Sequence, residues 1–157
     1  MSMRFLLPAL LCLSFSACTQ VTRITEISDL PLKTTDLPSM DWEQSPLRAN
    51  AQYVLFDAHS SKQKSERIGD YFFFHWYDAQ PEKPVKIVML YTQARTSSEL
   101  QKRVIEYKEP RESSGFRKDR FFFIGPQRQK DGDVLSWRME LYCDGVLMDA
   151  RNSYLWK

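Results

Sequence analysis

The stretch from Leu135 to Cys143 constrains the fold more than any other part of the chain. Leu135, Trp137, Met139, Leu141 and Cys143 alternate with Ser136, Arg138, Glu140 and Tyr142. Only an extended strand sends alternate side chains to opposite faces, so this period of two predicts a half-buried strand over 133–143. Asp144-Gly145 follows, the pair favoured in two-residue type I′ turns, where both central residues need positive φ. The turn predicts a return strand over 146–156, with Cys143 paired to Val146, Leu141 to Met148 and Met139 to Ala150. In that register Arg138, Glu140, Asp149 and Arg151 make a mixed-charge ladder on a solvated outer face.

A lone hairpin is marginal in water, so further strands are required. Segments dense in aromatic and β-branched residues predict them near 51–57, 70–78, 85–93, 100–108 and 117–124. Gly69, Gly115, Gly125, Gly132 and Gly145 fall between these segments, where glycine does not weaken a ladder. Segment 98–108 also fits a helix capped by Ser97, with Leu100, Val104 and Tyr107 on one face. Val104-Ile105 and the neighbouring strands favour the extended form. Seven strands in about 105 residues suit two antiparallel sheets packed face to face, a single all-β sandwich of immunoglobulin-like type over 50–157. The immunoglobulin disulfide has no counterpart here.

The first seventeen residues have the form of an export signal: Arg4 gives a positive start, and Phe5–Leu13 is an apolar run broken by Pro8. That run is shorter than the roughly 20 residues a membrane-spanning helix needs. Phe15-Ser16-Ala17-Cys18 resembles the lipobox of bacterial lipoprotein precursors, with Phe15 where the pattern has a large aliphatic residue. The resemblance implies cleavage between Ala17 and Cys18, and a diacylglycerol, often with a further acyl chain, on Cys18. Two or more chains anchor firmly where one does not. Thr19 after Cys18, rather than Asp, leans towards the outer membrane, facing the periplasm. The chain is also similar, over roughly 70–157, to small bacterial lipoproteins that end in a strand–Asp-Gly–strand hairpin like Trp137–Trp156. That similarity implies the fold and no activity.

Removing 1–17 takes out Arg4 and no acid, leaving 21 cations against 20 acids and a net charge of +1. A near-neutral chain with both signs interspersed lacks the electrostatic footprint of a nucleic-acid binder. Cys12 leaves with the signal and Cys18 is acylated, so Cys143 is alone, either buried or available for an intermolecular bridge. Residues 18–49, rich in Thr, Ser, Asp and Pro, are expected to tether the domain to the membrane over on the order of 30 Å. Val21, Ile24, Ile27, Leu30, Leu32, Leu37 and Trp42 are more apolar than a spacer requires, so part of the tether is expected to pack on the domain or a partner.

The sequence carries few motifs that point to chemistry. HExxH, GxSxG, CxxC and a Gly-rich phosphate loop are all missing from the sequence. His59 and His75 are the only histidines; with one free cysteine they make a poor zinc ligand set. Asp131-Gly132-Asp133 reads as a turn, because the further ligands of an EF-hand are missing. Arg117, Lys118, Arg120, Arg128 and Lys130 read as a solvated face. No catalytic residue, cofactor or metal is expected. In Tyr71–Tyr77, Phe72, Phe74 and Trp76 share one face, and Tyr71, Phe73, His75 and Tyr77 the other; Phe121-Phe122-Phe123 repeats the pattern. One set must be core, and Tyr71, Phe73 and Tyr77 are the candidate exposed strip for stacking on sugars or seeding an interface. The expectation is a non-enzymatic, membrane-anchored module that binds an envelope protein, with a carbohydrate-binding module as the alternative.

Overall fold

The computed structural model describes residues 21–33, 47–96 and 99–157, so the signal segment, Ala17, Cys18 and most of the Pro-containing stretch lie outside it. The chain order is β1 (Arg23–Leu32), α1 (Leu47–Leu55), α2 (Ser61–Glu66), β2 (Gly69–Asp78), β3 (Val85–Gln93), β4 (Gln101–Tyr107), β5 (Gly115–Ile124), α3 (Gly125–Asp131), β6 (Val134–Cys143) and β7 (Val146–Asn152). The seven strands form two antiparallel sheets, β1-β2-β5 and β4-β3-β6-β7. The molecule is an all-β sandwich, and segment 98–108 supplies a strand.

Two expected elements are different. Residues 51–57 are not a strand: α1 covers 47–55, with Ala51 and Val54, three positions apart, buried on one helical face. The seventh strand comes from the expected tether instead. β1 pairs with β2 from Arg23↔Tyr77 to Leu32↔Gly69, so residues 23–32 belong to the sandwich. Gly69 and Gly115 open strands rather than precede them. At Gly69 the ladder requires glycine, since a Cβ would lie 2.0 Å from the Phe123 carbonyl oxygen.

Between the sheets lie Phe72, Phe74 and Trp76 of β2, Ile87, Met89 and Tyr91 of β3, Phe121 and Phe123 of β5, and Met139, Leu141 and Cys143 of β6. Cys143 is 2 % exposed, and burial pushes its thiol pKa up, so it is packed as an apolar residue. A second cluster lies on the outside of the smaller sheet, where Leu30 and Leu32 of β1 and Tyr71 of β2 meet Ala51 and Val54 of α1.

Three bulges reset the register. In the last hairpin Asp144 and Gly145 do have positive φ, 51° and 78°, and Cys143 pairs with Val146. Met148 is then an extra residue, so Leu141 pairs with Asp149 and Met139 with Arg151, not with Met148 and Ala150. The slip moves Asp149 and Arg151 off the expected charge ladder. Arg138 and Glu140 remain paired at 2.7 Å, whereas the Asp149 carboxylate accepts the Ile24 N–H at 3.0 Å and Arg151 donates to the Ile24 carbonyl at 3.4 Å. A matching bulge in β1 makes Thr25 extra beside Ile24. Polar contacts thus close the seam between β1 and β7. A third bulge makes Leu135 extra, leaving it 51 % exposed while Val134 packs on the core. The opposite seam is closed by Arg103 of β4, donating to the Phe122 carbonyl and stacking 4.3 Å from the Phe123 ring, and by Tyr107 donating to Asp119. Such contacts occupy edge groups that would otherwise template further strands.

Candidate functional site

The outer face of the smaller sheet carries the residues expected to form an aromatic strip, and the structure separates them. Tyr71 is 4 % exposed, roofed by Ala51 and Val54 of α1. Phe73 is half-buried, with the Tyr53 ring edge-on at 6.5 Å and the Tyr71 ring stacked at 6.2 Å. Tyr77, two rungs further along, is half-buried against Phe116 at 5.2 Å. An uninterrupted exposed strip of Tyr71, Phe73 and Tyr77 therefore does not form, because α1 covers one end of it.

Covering that end creates a groove. Tyr53 and Val54 of α1, Phe56 and Asp57 of the turn after it, Arg67, Tyr71, and Arg120, Phe122 and Ile124 of β5 enclose about 380 Å³. Three of its rings are open to solvent: Phe56 is 78 % exposed, Tyr53 62 % and Phe122 42 %. Exposed large aromatics of this kind are unusual unless something covers them. Arg67 and Arg120 bring two guanidiniums to the lining against the single carboxylate of Asp57.

The groove is held by its own hydrogen bonds. Ser60 caps α2, accepting the Gln63 N–H while the Gln63 side chain accepts the Ser60 N–H, and this returns the chain towards β2. Arg67, just beyond α2, donates from Nη1 to the Val54 carbonyl at 2.7 Å, fastening α1 in place. Tyr71 donates its hydroxyl to the Arg67 carbonyl at 2.6 Å. Burial pushes the Tyr71 pKa up to about 12 against the pull of Arg67 and Arg120, so near neutral pH it is a fixed donor and not a base. The Arg120 guanidinium lies 4.8 Å above the Tyr53 ring. The groove thus presents exposed rings beside two guanidiniums and one carboxylate.

The other residues singled out from sequence have structural places. His59 is exposed and gives its backbone N–H to Gln63 at 3.0 Å. His75 is half exposed, with Nδ1 3.3 Å from Glu26. Asp131-Gly132-Asp133 is a turn: Gly132, at φ 84°, ends α3, and its carbonyl accepts Gln93 Nε2 at 2.8 Å. Among the described residues no three His, Cys, Asp or Glu side chains are grouped to hold a metal. No described helix is long and apolar enough to cross a membrane.

The basic stretch is only partly a solvated face. Arg117 and Arg111 both bind Asp78, whose side chain is fully buried, at 2.9 and 2.6 Å. Burial raises the Asp78 pKa, but the hydrogen bonds and charges of the two arginines outweigh it and hold the carboxyl below its ordinary value. Arg128 pairs with Asp70 at 3.4 Å and with Asp133. Asp70 also accepts the Val134 N–H at 3.2 Å, yet burial dominates and its pKa is raised. Sequence spacing carried no sign of the pairs to Asp78 and Asp70, because each joins residues more than thirty positions apart. Tyr53, Phe56 and Arg67 escaped notice for a related reason: α1, the turn after it and the end of α2 bring them together, and the segment around the short helix over 47–55 reads as a strand in sequence.

Comparison with models of protein families, with curated proteins and with solved structures gave no match for this chain.

Proposed function

We propose that the chain is a membrane-anchored lipoprotein of the bacterial envelope, held by acyl groups on Cys18 after cleavage behind Ala17, in the outer membrane and facing the periplasm. Its sandwich, which we assign to the immunoglobulin-like type, acts as a non-enzymatic binding module for an envelope protein. The order β1-β2-β5 against β4-β3-β6-β7 supports that type, since β3, β5 and β6 each cross between sheets, as in Greek-key sandwiches.

The groove at α1 is the observation that carries the binding reading. Three exposed aromatic rings with two guanidiniums and one carboxylate favour a peptide segment bearing an acidic side chain. Burial of Tyr71 takes one ring out of the strip on which a carbohydrate-binding module was expected to rely, which favours the protein reading.

Two measurements test the proposal. Cys18→Ala is expected to release the protein from the membrane fraction; retention there refutes the anchor. A photoreactive benzoylphenylalanine in place of Phe56 is expected to trap a protein neighbour in intact cells. Recovery of no protein adduct, or of polysaccharide alone, refutes a protein ligand for the groove.

A further inference from the structure

The fold begins close behind the proposed anchor. Thr22 is already fixed: it is 1 % exposed, and its Oγ1 accepts the Ala79 N–H at 3.1 Å. Only four residue steps separate Cys18 from Thr22, a length that covers at most about 14 Å when fully extended. The ten residues of β1 then run about 33 Å away from that point.

The register shows what lies at each end of this run. At the Thr22 end, Arg23 pairs with Tyr77 and Tyr77 with Phe116, while β3 starts opposite Cys143 and the hairpin tip beside Val146. At the other end, Leu32 pairs with Gly69 and Gly69 with Ile124, and Ile124 lines the aromatic groove. The two ends are thus distinct surfaces separated by most of the length of the sandwich.

The near end exposes apolar side chains that its own core leaves uncovered. Phe116 is 75 % exposed, Val146 62 %, Val21 47 % and Leu147 45 %. Arg23 and Lys118, both exposed, flank Tyr77 and Phe116 on the outer face of the smaller sheet. Aromatic rings with cations beside them suit the boundary between acyl chains and anionic headgroups.

Resting on the reading of Cys18 as an acylated anchor, we infer that this end, made of Val21, the Tyr77–Phe116 pair and Val146–Leu147, seats on the lipid surface and holds the groove at the far end, turned away from it. The short link makes this contact nearly intramolecular, so weakly apolar side chains suffice where a free protein would need more.

The test uses the acylated full-length protein in its own membranes, with benzoylphenylalanine placed singly at Phe116, Val146 or Phe56. Lipid adducts are expected at 116 and 146 and not at 56. Phe116→Trp supplies a second measurement: its added emission is expected to be quenched by brominated acyl chains, and that of Phe56→Trp is not. Membrane attachment that depends on Cys18 without lipid contact at 116 and 146 overturns the orientation and leaves the anchor intact. Lipid contact at 56 equal to that at 116 means the sandwich lies on its side, and also overturns it. Attachment that survives Cys18→Ala, or a protein found only in the soluble fraction, refutes the anchor reading and this inference with it.

Discussion

The two faces of β2 contain similar residues in alternation and meet opposite fates. On the inner face Phe72, Phe74 and Trp76 are 4, 1 and 0 % exposed, and Asp70 and Asp78 close the row at either end, each held by arginine. On the outer face burial is uneven, from Tyr71 beneath α1, through half-buried Phe73 and exposed His75, to Tyr77, half-buried against Phe116. A sheet-on-sheet contact buries its whole inner row together. An outer row is buried only where a local element happens to cover it. The inner face is therefore a matter of fold, and the outer face a matter of local cover, deepest under one short helix.

Substitutions along β2 can break this contrast. Trp76→Ala is expected to cost most, about 3–5 kcal/mol in urea unfolding, as for other large core aromatics; a loss below about 1 kcal/mol would mean the inner row is not the main core. Asp78→Ala leaves Arg111 and Arg117 facing an empty buried position, and is expected to cost about 3 kcal/mol. Because the Asp78 pKa is lowered on folding, its stabilisation is present above the ordinary carboxylate value of 3.8 and is lost as pH falls below it. Asp78→Asn should accordingly flatten the acid limb of a stability–pH curve. On the outer face Tyr71→Phe removes only the hydroxyl bond to Arg67, an effect of about 1 kcal/mol. The Tyr71 pKa is raised, so its contribution holds below pH 10 and fades as pH climbs towards about 12; the Phe variant should lack that part of the alkaline loss. Phe116→Ser should be smallest, within about 0.5 kcal/mol of the parent, since the ring is mostly in solvent.

The same contrast explains what could be seen in the sequence. Period-two runs in β2 and β6 identified the inner row, because a fully packed sheet imposes strict alternation. β1 was hidden because Thr25 interrupts its alternation: Ile24 and Ile27 both face the core, while Leu30 and Leu32 face α1 on the other side. Their apolar character was legible and their pairing was not. The hairpin turn at Asp144-Gly145 was legible from its chemistry, but the bulge at Met148 was not, and one extra residue sent Asp149 and Arg151 to the seam. The groove was least legible of all. It depends on α1, whose helical form follows from the apolar patch of Leu30, Leu32 and Tyr71 that it covers, residues distant in sequence.

The position of β1 has a mechanical consequence. If the anchor is at Cys18 and a ligand sits in the groove, as proposed, a pull on Cys18 enters at the start of β1 and is resisted at the opposite end. Tension between the two runs along the strand axis, so the hydrogen bonds from Arg23↔Tyr77 to Leu32↔Gly69 are loaded together in shear and cannot be unzipped one at a time. The Asp149 and Arg151 contacts at Ile24 add a cross-tie at the end that takes the strain first. Residues that composition presented as slack rope are, in the folded molecule, laddered to β2 from Arg23 to Leu32, and under that pull they would bear the tension.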